Sequence, residues 1–221
     1  MLIKFCGIRR FEDVELMNIF RPDFVGFVFA ESKRQVSPRK ASELSAQLDK
    51  GIKKVGVFVN ENIDTVSEAV EAASLDVIQL HGEENEEYIK SLRVFFPQKS
   101  IWKAVRVKSS EDIKKAEGLS VDMLLLDSFS ESEYGGSGRV ADLSVIKCCE
   151  ISKPYFLAGG INASNAISIF NEIKPNGLDI SSGIEENGVK DFNKIQEIMR
   201  CIEWIRRGDT ASSADNTFPK P

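Results

Sequence analysis

Along this chain, short apolar runs rich in β-forming residues alternate eight times with stretches of 3.6-residue periodicity, and few folds accommodate that rhythm. The runs are Leu2 to Cys6, Phe24 to Phe29, Lys54 to Val59, Val77 to Leu80, Ile101 to Val107, Met123 to Asp127, Tyr155 to Ala158 and Leu178 to Ser181. Helices are expected near 11–20, 38–49, 62–73, 84–94, 110–117, 141–151, 163–173 and 191–206. Ser37-Pro38 marks the start of the second, Asn162 and Ser164 that of the seventh, and Asp191 that of the last. The last helix carries the clearest stripe, with Ile195, Ile198, Met199, Ile202 and Ile205 on one face. Most of the strand candidates are continuously apolar, as parallel strands covered by helices must be.

Eight strand-helix units occupy about 206 of the 221 residues, which leaves no room for a second domain. The expected fold is α/β, a single (β/α)8 TIM barrel over residues 1–207. Residues 208–221 form a polar C-terminal tail rich in Ser, Asp, Thr and Pro, read as disordered. The rival is an open doubly wound sheet, but the first strand-helix turn, Cys6-Gly7-Ile8-Arg9-Arg10, lacks the glycine-rich dinucleotide fingerprint.

Composition narrows the partners. Net charge is −5, from 29 basic and 34 acidic residues, with no basic face, so nucleic acid is not an expected partner. No apolar run approaches the roughly 18 residues needed to span a bilayer, so no membrane association is expected. The N-terminus is strand-like and lacks the features of a signal peptide, which makes a cytoplasmic location the expectation. Four cysteines (Cys6, Cys148, Cys149, Cys201) show neither CxxC spacing nor the density of a disulfide framework, and with one histidine a zinc cluster is not expected. Cys148 and Cys149 fall on a helical pattern and read as structural, one of them facing the barrel.

In such a barrel the chemistry sits at the C-terminal ends of the strands. The first strand ends at Cys6 and the sixth at Asp127; the seventh ends in Gly159-Gly160 and the eighth in Ser181-Ser182-Gly183. Each glycine pair alone reads as a turn. Together at adjacent strand ends they read as a phosphate site, with Gly159, Gly160, Ser182 and Gly183 offering backbone N–H groups. Cys6 alone reads first as a small buried apolar residue. Asp127, after three leucines, must be hydrogen-bonded, capping or catalytic. His81, ending the fourth strand, reads alone as structural or catalytic, and Arg34, in the loop after the second, as a solvated surface residue by default.

The residues also carry a resemblance. Lys4-Phe5-Cys6-Gly7-Ile8, Val25-Gly26-Phe27-Val28-Phe29, Ser32-Lys33-Arg34, Val55-Gly56-Val57-Phe58, Gln79-Leu80-His81-Gly82, Leu126-Asp127-Ser128 with Gly135-Gly136-Ser137-Gly138, Leu157 to Asn162 and Asp179 to Glu185 follow one another as in the phosphoribosylanthranilate isomerases. The chain resembles that family from residue 2 to about 205. The resemblance implies an Amadori rearrangement of N-(5-phosphoribosyl)anthranilate in tryptophan biosynthesis, with no cofactor and no metal. It implies Asp127 as general acid to the furanose ring oxygen and Cys6 as general base at C2. It further implies Arg34 at the anthranilate carboxylate and His81 as a substrate contact. Asp179 is expected to touch the substrate or to lie just behind the residues that do. The acid must be protonated and the thiol partly ionised, which requires donors or positive charge beside Cys6. One departure stands out: after Gly138 the chain reads Arg139-Val140-Ala141-Asp142-Leu143 where the family usually has an aromatic and an acid-aromatic pair.

Two other readings remain open. One is another phosphosugar isomerase or epimerase, such as the histidine-pathway isomerase, although that family uses aspartates at both catalytic strand ends. The other is a barrel that binds a phosphometabolite without turnover. A small-molecule substrate is the expected partner, and the assembly is expected to be a monomer or homodimer.

Overall fold

The computed structural model describes residues 1–127 and 143–208. Eight parallel strands close into a barrel in sequence order, with helices outside. The order is β1 (Leu2–Cys6), α1 (Phe11–Phe20), β2 (Phe24–Val28), α2 (Pro38–Ser45), β3 (Lys53–Phe58), α3 (Ile63–Ala72), β4 (Val77–Leu80) and α4 (Glu86–Phe95). It continues β5 (Ser100–Arg106), α5 (Ser110–Glu117), β6 (Met123–Asp127), α6 (Ser144–Lys147), β7 (Tyr155–Ala158), α7 (Ala166–Ile173) and β8 (Gly177–Ile180). After β8 come a 3₁₀ turn (Ser182–Ile184), a two-stranded hairpin of β9 (Glu185–Glu186) and β10 (Val189–Lys190), and α8 (Phe192–Arg207). β8 returns to pair with β1, which leaves no open edge among the eight strands.

The helix starts follow their caps. Ser37 accepts from the Lys40 N–H, Asn62 from Thr65, Asn85 from Tyr88 and Asp191 from Lys194. The stripe Ile195, Ile198, Met199, Ile202 and Ile205 is the buried face of α8. Inside the barrel, Phe24, Trp102 and Phe156 pack with ring centroids 5.0 to 5.7 Å apart and, with Val55, Val77 and Leu125, fill the lower half.

Three helices differ from their expected spans by three residues or more at one end. α2 stops at Ser45 rather than 49, because the chain tightens into three-residue turns and the Asp49 N–H is taken by the Asn18 side chain. α7 begins at Ala166 rather than 163, since Asn162 Oδ1 accepts from both the N–H and the hydroxyl of Ser164 and holds a turn there. α6 ends at Lys147 rather than 151, as Lys153 precedes Pro154 and the approach to β7 must run extended. Cys148 is exposed and ends that helix, whereas Cys149 is partly buried against the core. Gly208 closes α8 in a left-handed conformation. The Gly135 to Gly138 motif, the Arg139 to Asp142 departure and the tail from 209 lie outside the described residues.

Candidate active site

Closing β8 onto β1 sets Lys4 opposite Asp179. The Lys4 side chain is fully buried and its Nζ donates to Asp179 Oδ2 at 2.9 Å, with Asp179 itself 9% exposed. A lone ammonium in that position would be prohibitively desolvated, so the carboxylate is what permits the lysine. Burial opposes the charge on Lys4, yet Asp179 and the neighbouring Cys6 outweigh it, and the ammonium is held above its ordinary pKa. Asp179 Oδ1 and Gln79 Oε1 are both buried without a hydrogen-bond partner among the described residues. Both acceptors retain hydrogen-bonding capacity at the barrel mouth.

Cys6 lies two residues beyond Lys4 and therefore on the same face of β1. It is partly exposed. Burial pushes its thiol up, Lys4 and Lys190 pull it down, and Asp179 pushes it up again; the outcome is a pKa above the ordinary thiol value. The positive charge that the sequence reading required is thus present, but it does not outweigh desolvation. That balance favours the thiol over the thiolate.

His81 directly follows β4, and Asp127, Lys4 and Asp179 are among the charges that act on it. Burial lowers its pKa; Asp127 opposes this, Lys4 adds to it, and the imidazole is neutral at pH 7. Gln79 Nε2 lies 3.2 Å from His81 Nδ1, which ties the ring to the neighbouring strand residue. Asp127 ends β6 and is partly exposed.

Arg34 is not a solvated surface residue. Its Nε and Nη2 donate to the two carboxylate oxygens of Glu185 at 2.8 and 2.7 Å. Glu185 Oε1 also accepts from Lys190 Nζ at 2.9 Å, and the same ammonium donates to the carbonyls of Cys6 and Ser181 at 2.6 and 3.1 Å. Burial alone would raise the Glu185 carboxyl, but Arg34 and Lys190 bring it down to about 2.

At the ends of β7 and β8, Gly159 and Gly160 adopt φ of +100° and +66°, a backbone that other residues reach only with strain. The Gly160 carbonyl is tied back by Asn165 Nδ2 at 2.9 Å. Gly183 packs directly on the Ile161 carbonyl, where a Cβ would overlap it, so the two glycine loops lie against each other. Among the described residues, no group of three or more His, Cys, Asp or Glu side chains is arranged to hold a metal ion.

The structure therefore gathers Cys6, Arg34, His81, Asp127 and Asp179 at one mouth, with Gly159, Gly160, Ser182 and Gly183 on the β7-β8 side. Sequence reading missed Lys4, Gln79, Glu185 and Lys190. The first two were detectable as polar residues interrupting apolar strands two positions before Cys6 and His81. The hairpin carrying the other two was signalled by Asn187-Gly188, which takes positive φ at both residues and is the commonest two-residue hairpin turn.

Comparison with known proteins agrees with this geometry. Residues 3–200 match the model of the family described as N-(5'phosphoribosyl)anthranilate (PRA) isomerase. The chain is 45% identical over 205 residues to the N-(5'-phosphoribosyl)anthranilate isomerase of Clostridium acetobutylicum, covering 91% of this chain and 98% of that one. The crystal structure of the Thermotoga maritima phosphoribosyl anthranilate isomerase superposes with a TM-score of 0.81 at 33% identity, covering 92% and 99% of the two chains. A further isomerase structure, in complex with reduced 1-(o-carboxyphenylamino)-1-deoxyribulose 5-phosphate, aligns with a TM-score of 0.75 at 30% identity over 92% and 98%.

Proposed function

Because this chain belongs to the N-(5'-phosphoribosyl)anthranilate isomerase family, we propose that the residues gathered at its barrel mouth divide that family's reaction among themselves. The protein is an aldose-ketose isomerase of tryptophan biosynthesis. It rearranges N-(5-phosphoribosyl)anthranilate to 1-(2-carboxyphenylamino)-1-deoxyribulose 5-phosphate, acting on a small-molecule substrate.

In our reading Asp127 donates its proton to the furanose ring oxygen as the C1–O bond breaks, and the amine lone pair forms the C1=N iminium. Cys6 then removes the C2 proton, the electron pair shifts onto nitrogen, and the resulting enol-amine tautomerises to the ketone. The neutral His81 offers its ring proton to a substrate oxygen, while the open acceptors on Asp179 and Gln79 suit substrate hydroxyls. Convergence on His81 carries this reading: its electrostatic neighbours include Asp127 from β6 and the Lys4-Asp179 pair that flanks Cys6. The test is turnover of phosphoribosylanthranilate followed by loss of its anthranilate fluorescence, and a protein that binds but does not convert it refutes the reading.

At the carboxylate end we assign Arg34, whose planar fork suits a carboxylate better than a lysine's point charge. Arg34→Ala is expected to raise KM and lower kcat/KM at least tenfold, about 1.5 to 3 kcal/mol for a charge-assisted contact. Lys33→Ala shares the loop and serves as control; an equal loss there reduces the effect to general attraction.

At the other end the phosphate is assigned to backbone N–H groups of Gly159, Gly160, Ser182 and Gly183, with no metal. Inorganic phosphate should compete with substrate, and activity should survive a chelator. Loss with chelator and return with magnesium would contradict the assignment. No helix among the described residues is long and apolar enough to cross a membrane. A cytoplasmic location, as a monomer or homodimer, belongs to the same proposal.

A further inference from the structure

We propose that Glu185 is a positioning residue for carboxylate recognition: it grips Arg34 along one edge of the guanidinium and leaves the other edge to the substrate. This rests on the reading of Arg34 as the carboxylate receptor. A guanidinium has five N–H donors in a rigid plane. The Nε–Nη2 edge is filled by Glu185, with both oxygens engaged. What remains is the Nη1–Nη2 edge, itself a two-donor fork of the right geometry for a second carboxylate.

The rival is that Glu185 merely stands in for the substrate's carboxylate and must leave when it arrives. Its anchorage argues against departure. The Glu185 side chain is 7% exposed and its Oε1 also bonds the buried Lys190, which is held in turn by the carbonyls of Cys6 and Ser181. Swinging it out would strand a buried ammonium without its counter-charge. Glu185 and Lys190 also face each other in register across the β9-β10 hairpin, so the backbone holds both. The arrangement runs unbroken from Arg34 through Glu185 and Lys190 to the end of β1, where Cys6 sits, and to the turn before Gly183. Below the guanidinium, Gly7 completes the seat, since a Cβ there would overlap the Arg34 stem. Preorganising a long flexible side chain lets the substrate bind without first ordering it.

The experiment compares Glu185→Gln, Glu185→Ala, Arg34→Ala and the Arg34→Ala/Glu185→Gln double variant. Each is assayed on phosphoribosylanthranilate and on the phosphoribosylaniline analogue that lacks the carboxylate, used as substrate or competitor. Glu185→Gln keeps an oxygen for Lys190 and so guards against a fold that fails, with a thermal melt as check. The expected result is a KM for phosphoribosylanthranilate at least tenfold higher in Glu185→Gln, the loss falling on KM more than on kcat. That loss should vanish with the aniline analogue and in the Arg34→Ala background. A KM that is unchanged or lower, or an equal loss on both ligands, overturns the proposal while leaving Arg34 in its role. If Arg34→Ala treats the two ligands as the parent does, the reading of Arg34 fails and the proposal falls with it.

Discussion

Replacing Cys6 by alanine should lower kcat at least about 10²-fold, and Asp127→Asn should do the same, the usual scale for removing a positioned base or acid. Neither change should disturb the fold, because both side chains are partly exposed at strand ends rather than packed in the core. Asparagine retains the shape of Asp127 and cannot supply its proton. Either variant retaining near-parental kcat removes that residue from the mechanism. The thiol adds a pH signature. Its pKa is held above the ordinary value by burial, against the pull of Lys4 and Lys190. Only the thiolate can take the C2 proton, and its fraction grows as pH rises. The free-enzyme profile, kcat/KM, should therefore climb on the alkaline side of neutrality. A flat profile there would mean that proton abstraction by Cys6 does not limit the reaction.

Lys4→Met should destabilise the protein by about 3 to 5 kcal/mol, the range for breaking a buried ion pair from one side. Methionine fills most of the lysine's volume, so the loss comes from charge and not from a cavity. It leaves the Asp179 carboxylate buried with neither oxygen paired, since Oδ1 has no partner already. Adding Asp179→Leu should recover much of the deficit, because the carboxylate without its ammonium is then gone as well. Urea unfolding at fixed m-value reads both variants. A Lys4→Met protein as stable as the parent would show that the pair is not a net burden once broken. The same substitution should push the Cys6 limb further alkaline, as the cation that lowers its pKa is lost and the anion that raises it stays.

Most of the architecture could be read along the chain. The eight strands appear within a residue or two of their expected bounds because a parallel strand buried on both faces must be apolar throughout. Helix starts at Pro38 and Phe192 follow side-chain caps that act over three residues. The ends of α2 and α6 and the start of α7 were misjudged for the complementary reason: each is decided by a turn or by the neighbouring strand, not by periodicity. Cys6, Asp127 and the two glycine loops stand out in the sequence because a barrel concentrates its chemistry where strands end.

Charge environment could not be read in this way. Lys4 meets Asp179 across 175 positions of sequence, and Arg34 meets Glu185 across 151. Each partnership depends on the register with which β8 closes on β1 and on the hairpin that follows. From sequence alone, Arg34 was an exposed arginine by default and Cys6 a thiol in need of nearby positive charge. The folded chain holds the arginine with a carboxylate and gives the thiol two ammonium neighbours together with the burial that outweighs them. Local periodicity and caps determined which elements form and in what order, since those forces act within a few residues. Protonation states and side-chain orientation at the mouth were decided only by barrel closure, because desolvation and Coulomb interactions depend on distance through space and not along the chain.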